Sequence, residues 1–300
     1  MKDNIINNIL HGDCLEILKE LPDEYYSTCV TDPPYNYEFI GHNWDLEESK
    51  RRTERVKSSN TLVKNIPYGS GLSGGVRNAR WYKKNRDNIL EYQKWIEEWG
   101  TELYRITKPG ALILIFNSTR TIAHVQVALE NCGFYARDII VNKRHSGIPK
   151  GLNVSKKLEQ MGYVDYKNWE GWHSTLRNEW EAICVLQKPL ENNYINTLIK
   201  YNVGLFKTKD SEDGSFQSNI LEPFTREKKE DFNTHPTVKS LKLMEKLVSM
   251  TTPVLDDNII IDPFSGSGTT LLAAKNLGLN FTGIELYKEY IDIANKRLKK

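Results

Sequence analysis

Apolar positions recur along the chain with two periods, and the alternation between them predicts its elements. Residues 1–35 read as strand, helix, strand: "NIINNILH" is followed by a turn at Gly12-Asp13, and Leu15, Ile17, Leu18 and Leu21 then repeat at helical spacing. The segment ending "YYSTCV" predicts a second strand, which must stop at Pro33-Pro34 because proline has no N–H for a sheet ladder. Further on, Ile89, Tyr92, Trp95, Ile96, Trp99 and Leu103 keep a helical period, with both tryptophans facing a core; Pro109-Gly110 predict the stop, and "ALILIF" is a buried-type strand. "HVQVALENCGFYARDIIVNK" is a third helix–strand unit. From Ser240 the chain reads as a helix, the strand "NIIID", a glycine-rich turn "PFSGSG", a helix, the strand "NFTGIE" and a closing helix. Strands alternating with helices predict an α/β fold. Residues 46–86 and 143–233 lack sustained periodicity and read as insertions on that scaffold.

Composition narrows the class. With 300 residues, 39% hydrophobic and 27% charged, the chain can bury a large core and is neither fibrous nor disordered. No apolar run approaches the roughly 20 residues of a membrane helix, and the N-terminus lacks a signal-peptide pattern, so a cytoplasmic location is expected. Cys14, Cys29, Cys132 and Cys184 lack zinc-ligand spacing and are expected as free thiols, with no metal site.

Net charge is only +2, the difference between 41 basic and 39 acidic residues, but its distribution is uneven. Residues 139–158 carry Lys143, Arg144, Lys150, Lys156 and Lys157 with no acidic residue. Residues 74–86 interleave Arg77 and Arg80 with Trp81 and Tyr82. Cations beside aromatics suit phosphates and unstacked bases, whereas a lone basic run is more simply a solvated loop. Two such stretches favour nucleic acid.

The strongest chemical signal lies in "IIIDPFSGSGTT". Gly266 and Gly268 let backbone amides approach a ligand at a helix N-terminus, and Glu285 ends the next strand about 20 residues later, where a carboxylate can take ribose hydroxyls. No Lys-Ser/Thr follows, which disfavours a phosphate loop, and Leu271 stands where a dinucleotide fingerprint needs its third glycine. With Asp262 nearby, the site suits a ligand with positive charge and free ribose hydroxyls, a description S-adenosylmethionine meets. Such a unit normally opens its domain. Here it closes the chain, and residues 1–35 would supply the missing strands, so a circular permutation is expected.

The blocks "GDCLEIL" (12–18), "TDPPY" (31–35), "HPTVKS" (235–240) and "DPFSGSGTT" through "GIEL" (262–286) cover under a third of the chain. In this order they resemble the DNA amino-methyltransferases acting at adenine N6 or cytosine N4, in the permuted beta-group order. The resemblance implies a doubly wound Rossmann-like methyltransferase fold using S-adenosyl-L-methionine, with inserted target-recognition segments. It implies a catalytic half at 1–142 containing the 46–86 insertion, a target-recognition segment at 143–233 and a cofactor half at 234–300. By the same resemblance Asp262, Phe264, Gly266, Gly268 and Thr269 cradle the methionine part of the cofactor. His235, Pro236, Thr237 and Lys239 close over it, Glu285 takes the ribose, and Asp13 and Cys14 lie near the adenine. The lesser reading of Asp13 and Thr237 makes them mere helix N-caps.

The resemblance also gives "DPPY" its role. An exocyclic amine is a poor nucleophile because its lone pair is delocalised into the ring. If Asp32 accepts one amino hydrogen and the Pro33 carbonyl the other, the nitrogen becomes tetrahedral and its lone pair is freed. Pro33 and Pro34 fix the loop, and Tyr35 stacks on a base swung out of the duplex. Asp before Pro-Pro-Tyr is the usual adenine form and Ser the cytosine form, so adenine N6 is favoured and cytosine N4 is the alternative. A protein-glutamine or RNA methyltransferase would have the unpermuted order, and a silent DNA-binding subunit would have lost Asp32 or the glycine turn. Double-stranded DNA is the implied partner, bound through Lys143, Arg144, Lys150, Lys156, Lys157, Arg77 and Arg80. A second copy of the chain and a cognate restriction endonuclease stay open as further partners, and no membrane or metal is expected.

Overall fold

The computed structural model describes residues 5–35, 79–145, 151–209, 214–225, 227–235 and 237–299, with the backbone alone for 79–85. β2 (Tyr26–Thr31) is buried at all six positions and ends one residue before Asp32, where the two prolines would break the ladder. The remaining strands are β1 (Asn8–His11), β3 (Thr107–Asn117), β4 (Tyr135–Lys143), β5 (Trp180–Gln187), β6 (Ile220–Leu221), β7 (Ile259–Asp262) and β8 (Asn280–Glu285). They form one sheet ordered β1-β8-β7-β2-β3-β5-β4-β6. Among the described strands only β5 runs against its neighbours, pairing antiparallel with β3 and β4.

The permutation is visible at one edge of the sheet. β1 pairs parallel with β8, from Asn8 opposite Thr282 to His11 opposite Glu285, so the first strand of the chain extends the sheet beyond its last. Sequence order reverses between β7 and β2, and such a switch point opens a crevice at the carboxyl ends of the strands. Asp262 ends β7, Glu285 ends β8 and Asp32 follows β2, so the topology alone brings three acidic residues to that crevice. One core cluster runs beneath it, with Val30, Leu114, Ile183, Ile260, Leu271 and Phe281 among its members.

The chain divides into two compact units, residues 1–35, 93–143 and 180–300 in the first, 36–92 and 144–179 in the second. The first carries the whole sheet. The second includes the helix α4 (Val154–Gln160), N-capped by Asn153, a 3-10 turn at Tyr166–Trp169, and a bridge between Asn153 and His173. The other helices are α1 (Cys14–Glu20), α2 (Ala79–Ile106), α3 (Ile122–Asn131), α5 (Tyr194–Tyr201), α6 (Leu241–Thr251), α7 (Thr269–Asn276) and α8 (Lys288–Leu298).

Three local readings change. Residues 180–233, expected within an insertion, belong to the first unit, because β5 is buried at seven of eight positions between β3 and β4. A strand covered on both faces shows no alternation to read. Residues 79–86, expected as part of an insertion, open α2. Pro109-Gly110 do not separate helix from strand either: β3 begins at Thr107, whose hydroxyl donates to Leu103 O at 2.8 Å at the end of α2. Gly110 takes φ +82° inside the strand and donates to Lys188 O at 3.2 Å. All four cysteines are free thiols. Among the described residues no helix is long and apolar enough to cross a membrane, and no His/Cys/Asp/Glu cluster could hold a metal.

Candidate active site

The glycine turn is built by its neighbours. Gly266 (φ +51°) and Gly268 (φ +74°) occupy the left-handed region that glycine enters freely, and Gly268 leads directly into α7. Glu285 Oε2 accepts from Gly266 N at 2.8 Å and Oε1 from Tyr287 N at 2.9 Å, leaving each oxygen a lone pair for a ligand hydroxyl. Burial pushes the Glu285 carboxyl up from the usual range, and these amide bonds oppose the shift. Asp262 is buried. Its Oδ1 accepts from Thr31 Oγ1 at 2.6 Å and from Phe264 N at 3.1 Å, and burial raises its pKa to about 6. The Phe264 ring packs against Trp95 and Trp99 of α2, with centroids 5.5 Å from each.

His235 closes the turn from the side. A Cβ on Gly266 would lie 2.9 Å from His235 Nε2, and Thr237 N donates to Nδ1 at 3.3 Å, so in the neutral ring the proton sits on Nε2, facing the glycine. Burial, with the Lys229 charge, lowers its pKa to about 4 and keeps the ring neutral. Thr237 is not a cap, because Ser240 caps α6. Asp13 does cap α1, accepting from Leu15 N at 2.9 Å, and burial pushes the thiol of Cys14 up. Asp13 sits on the short loop after β1 and Cys14 opens α1; that loop is tied to β8 by Gly12 N donating to Glu285 O at 3.1 Å.

The loop after β2 carries the reactive constellation. Asp32 Oδ2 lies 3.0 Å from the Lys239 ammonium, while its Oδ1 is buried with no hydrogen-bond partner among the described residues. Burial pushes the Asp32 carboxyl up and Lys239 opposes this, keeping it a better acceptor than burial alone would allow. Lys239 also donates to Tyr35 OH and to Glu181 Oε1, at 2.9 Å each, and lies 4.6 Å from the centroid of the Phe116 ring. Thus Lys239, grouped from the sequence with the block that closes over the cofactor, contacts the Asp32 loop.

All site residues named from the sequence in the two halves therefore fall at one edge of the first unit, save Pro236, which lies outside the described residues. So do Arg77 and Lys150, and the Arg80 side chain. Lys143 is in the first unit, paired with Glu222 at 2.6 Å, whereas Arg144, Lys156 and Lys157 are exposed in the second. Sequence reasoning missed Glu181 and Arg297. Glu181, at the start of β5, is a buried acid in a strand whose interior is apolar from Ala182 to Leu186. Arg297 is buried near the end of α8; it donates to Ser267 O and Thr269 Oγ1 at 2.8 Å each and pairs with Glu230 at 2.8 Å. An arginine in "ANKRLKK" gives no hint of this, since terminal basic residues usually sit in solvent.

The chain is similar to known proteins in sequence and in fold. The chain is 30% identical to the type II methyltransferase M.HindIII of Haemophilus influenzae, over 98% of its own length and 96% of the relative's. It is 28% identical to M.HinfI of the same organism, over 100% of this chain and 71% of that one. Among solved structures it resembles M1.HpyAVI in complex with SAM (TM-score 0.56, 23% identity, 98% of this chain and 99% of that). It also resembles the cytosine-N4-specific PvuII DNA methyltransferase (TM-score 0.57, 14% identity, 98% and 89%). The DNA methylase model for N6/N4 methyltransferases matches residues 26–296, from the strand before Asp32 through the glycine turn to Arg297's helix, and the chain belongs to that family.

Proposed function

We propose that this chain transfers a methyl group from S-adenosyl-L-methionine to the N6 amine of an adenine flipped out of double-stranded DNA. The observation that carries the reading is Asp32 Oδ1, a buried acceptor with no partner among the described residues, at the end of a strand beside the glycine turn. An unsatisfied buried acceptor costs about 1–3 kcal/mol, and a substrate N–H would relieve it. The turn suits the cofactor: Glu285 keeps lone pairs for the ribose hydroxyls, and Asp262, Asp32 and Glu285 end adjacent strands, favouring a cationic ligand. His235, Phe264, Gly266, Gly268 and Thr269 border the methionine side, with Asp13 and Cys14 toward the adenine. Bound there, S-adenosyl-L-methionine supplies a sulfonium methyl, an electrophile that departs from a neutral thioether.

The protein's part is to make the amine nucleophilic. Asp32 Oδ1 takes one amino hydrogen and the Pro33 carbonyl the other, so the lone pair leaves the ring system and one proton is released overall as the N–C bond forms. Pro34 stiffens the loop, and Tyr35 offers its ring to the extruded base. Asp at position 32 favours adenine, since the cytosine form of the family carries Ser there. Arg144, Lys156 and Lys157, with Lys143, are read as phosphate contacts, which set affinity and not sequence.

The test is tritium transfer from labelled cofactor, with nucleoside analysis of the product DNA. We expect N6-methyladenine from wild type, and from Asp32→Ala a loss of 10²-fold or more with cofactor affinity kept within several-fold. N4-methylcytosine would overturn the choice of base, and Asp32→Ala transferring above about a tenth of the wild-type rate would overturn the role of Asp32.

A further inference from the structure

Glu181 has no part in the chemistry described above, yet it touches two of the groups that surround Asp32. The Lys239 ammonium has three N–H donors. Three acceptors meet it: Asp32 Oδ2 at 3.0 Å, Glu181 Oε1 at 2.9 Å and Tyr35 OH at 2.9 Å. The Tyr35 hydroxyl then donates its own hydrogen to the same Glu181 oxygen, at 3.0 Å, although it also lies within hydrogen-bonding reach of Asp32. With those donors used, Asp32 Oδ1 stays buried without a partner among the described residues. The cluster joins three elements, the loop after β2, the start of β5 and the segment before α6, with the Phe116 ring of β3 against the ammonium.

We propose that Glu181 is a positioning residue for methyl transfer: it draws the Tyr35 hydroxyl hydrogen and one Lys239 N–H to itself, and so keeps Asp32 Oδ1 open for the target amine. The inference rests on the reading of Asp32 as the amine's acceptor. Without Glu181, Tyr35 and Lys239 turn their hydrogens toward Asp32 and cap the acceptor the substrate needs. The groups facing Asp32 are Lys239, Tyr35, Glu181 and, across the strand ends, Asp262. Removing the Glu181 charge leaves Lys239 acting on Asp32 with less opposition, so Asp32 stays ionised to lower pH.

The experiment compares wild type, Glu181→Gln, Glu181→Ala and Asp32→Ala by thermal melting, cofactor calorimetry and single-turnover methylation across pH, using plasmid DNA from a methylation-deficient host. We expect Glu181→Ala to lose about 100-fold in the single-turnover rate, on the scale of a misplaced catalytic group. Glu181→Gln keeps an acceptor oxygen and should lose about 10-fold. Cofactor affinity should be unchanged in both, and the acid limb of the rate profile should move to lower pH. If Glu181→Ala does not fold, Glu181→Gln decides alone. Wild-type rates, or a rate loss with an unmoved acid limb, overturn the inference while Asp32→Ala stays inactive. An active Asp32→Ala overturns the reading beneath it instead.

Discussion

Gly266 and Gly268 differ in what a side chain would strike. Both have positive φ, which costs an L-residue about 1–2 kcal/mol. A Cβ at 266 would press His235 Nε2 at 2.9 Å, a ring on a loop that can yield, whereas a Cβ at 268 would meet the buried Ala294 Cβ at 2.8 Å. The glycines thus serve packing as well as room for a ligand. Gly268→Ala should lower the melting temperature more than Gly266→Ala, and adding Ala294→Gly should restore part of the loss; equal melting for the two single variants would contradict this. His235 gives a pH signature. Its pKa is about 4 in the folded chain against an ordinary 6.5, so the unfolded chain binds more protons between those values. Its stabilising contribution is full above pH 6.5 and lost as pH falls toward 4, on the order of 3 kcal/mol at most. Asp262, raised to about 6, acts with the opposite sign over much of that window. The melting-temperature gap between wild type and His235→Gln should therefore widen from pH 4.5 to 7 and level off above.

At the scale of elements, the glycine turn is held by the last helix of the chain as much as by its own backbone. Arg297 reaches from α8 to Ser267 O and Thr269 Oγ1, and its ion pair ties Glu230, on the segment leading to His235, to the same point. The guanidinium spreads its donors over all three groups, Nε to Glu230 and Nη1 to Ser267 O and Thr269 Oγ1. Arg297→Met keeps the apolar stem but leaves the half-buried Glu230 carboxylate without that ion pair, holding its bond from Asn233 Nδ2 at 3.1 Å, and should lower the melting temperature. Because the turn and the His235 segment lose a shared anchor, the stabilisation conferred by S-adenosyl-L-methionine in a thermal shift should shrink too. A variant that melts lower but gains as much from the cofactor as wild type would make Arg297 a fold residue only.

For the molecule as a whole, the two units divide the charges. Lys143 of the first unit is already neutralised by Glu222, an exposed pair worth little to stability but a competitor for phosphate. Lys156 and Lys157, on α4 of the second unit, are exposed. If they meet DNA phosphates, changing both to Gln should lower the slope of log affinity against log salt by roughly 0.9 per contact, and by similar amounts on specific and random duplexes. The methylated motif should stay the same. An altered motif, read by single-molecule sequencing of DNA from expressing cells, would mean that these lysines read bases.

The sequence by itself determined the elements whose pattern is local: the strand stopped by Pro33-Pro34, the helix over Ile96, Trp99 and Leu103, and the glycine turn between "IIID" and its helix. Because strand ends converge at a switch point, naming those elements in permuted order was enough to place Asp32, Asp262 and Glu285 on one edge. β5 escaped because a strand buried on both faces has no alternation, and residues 79–86 because their charged and polar sequence shows no apolar period. Only the tertiary structure decided the partners. Lys239 lies 204 residues from Tyr35 and 58 from Glu181, and Arg297 lies 67 from Glu230. No periodicity or composition encodes a hydrogen bond across such separations; it exists only once the sheet has brought the ends of its strands together.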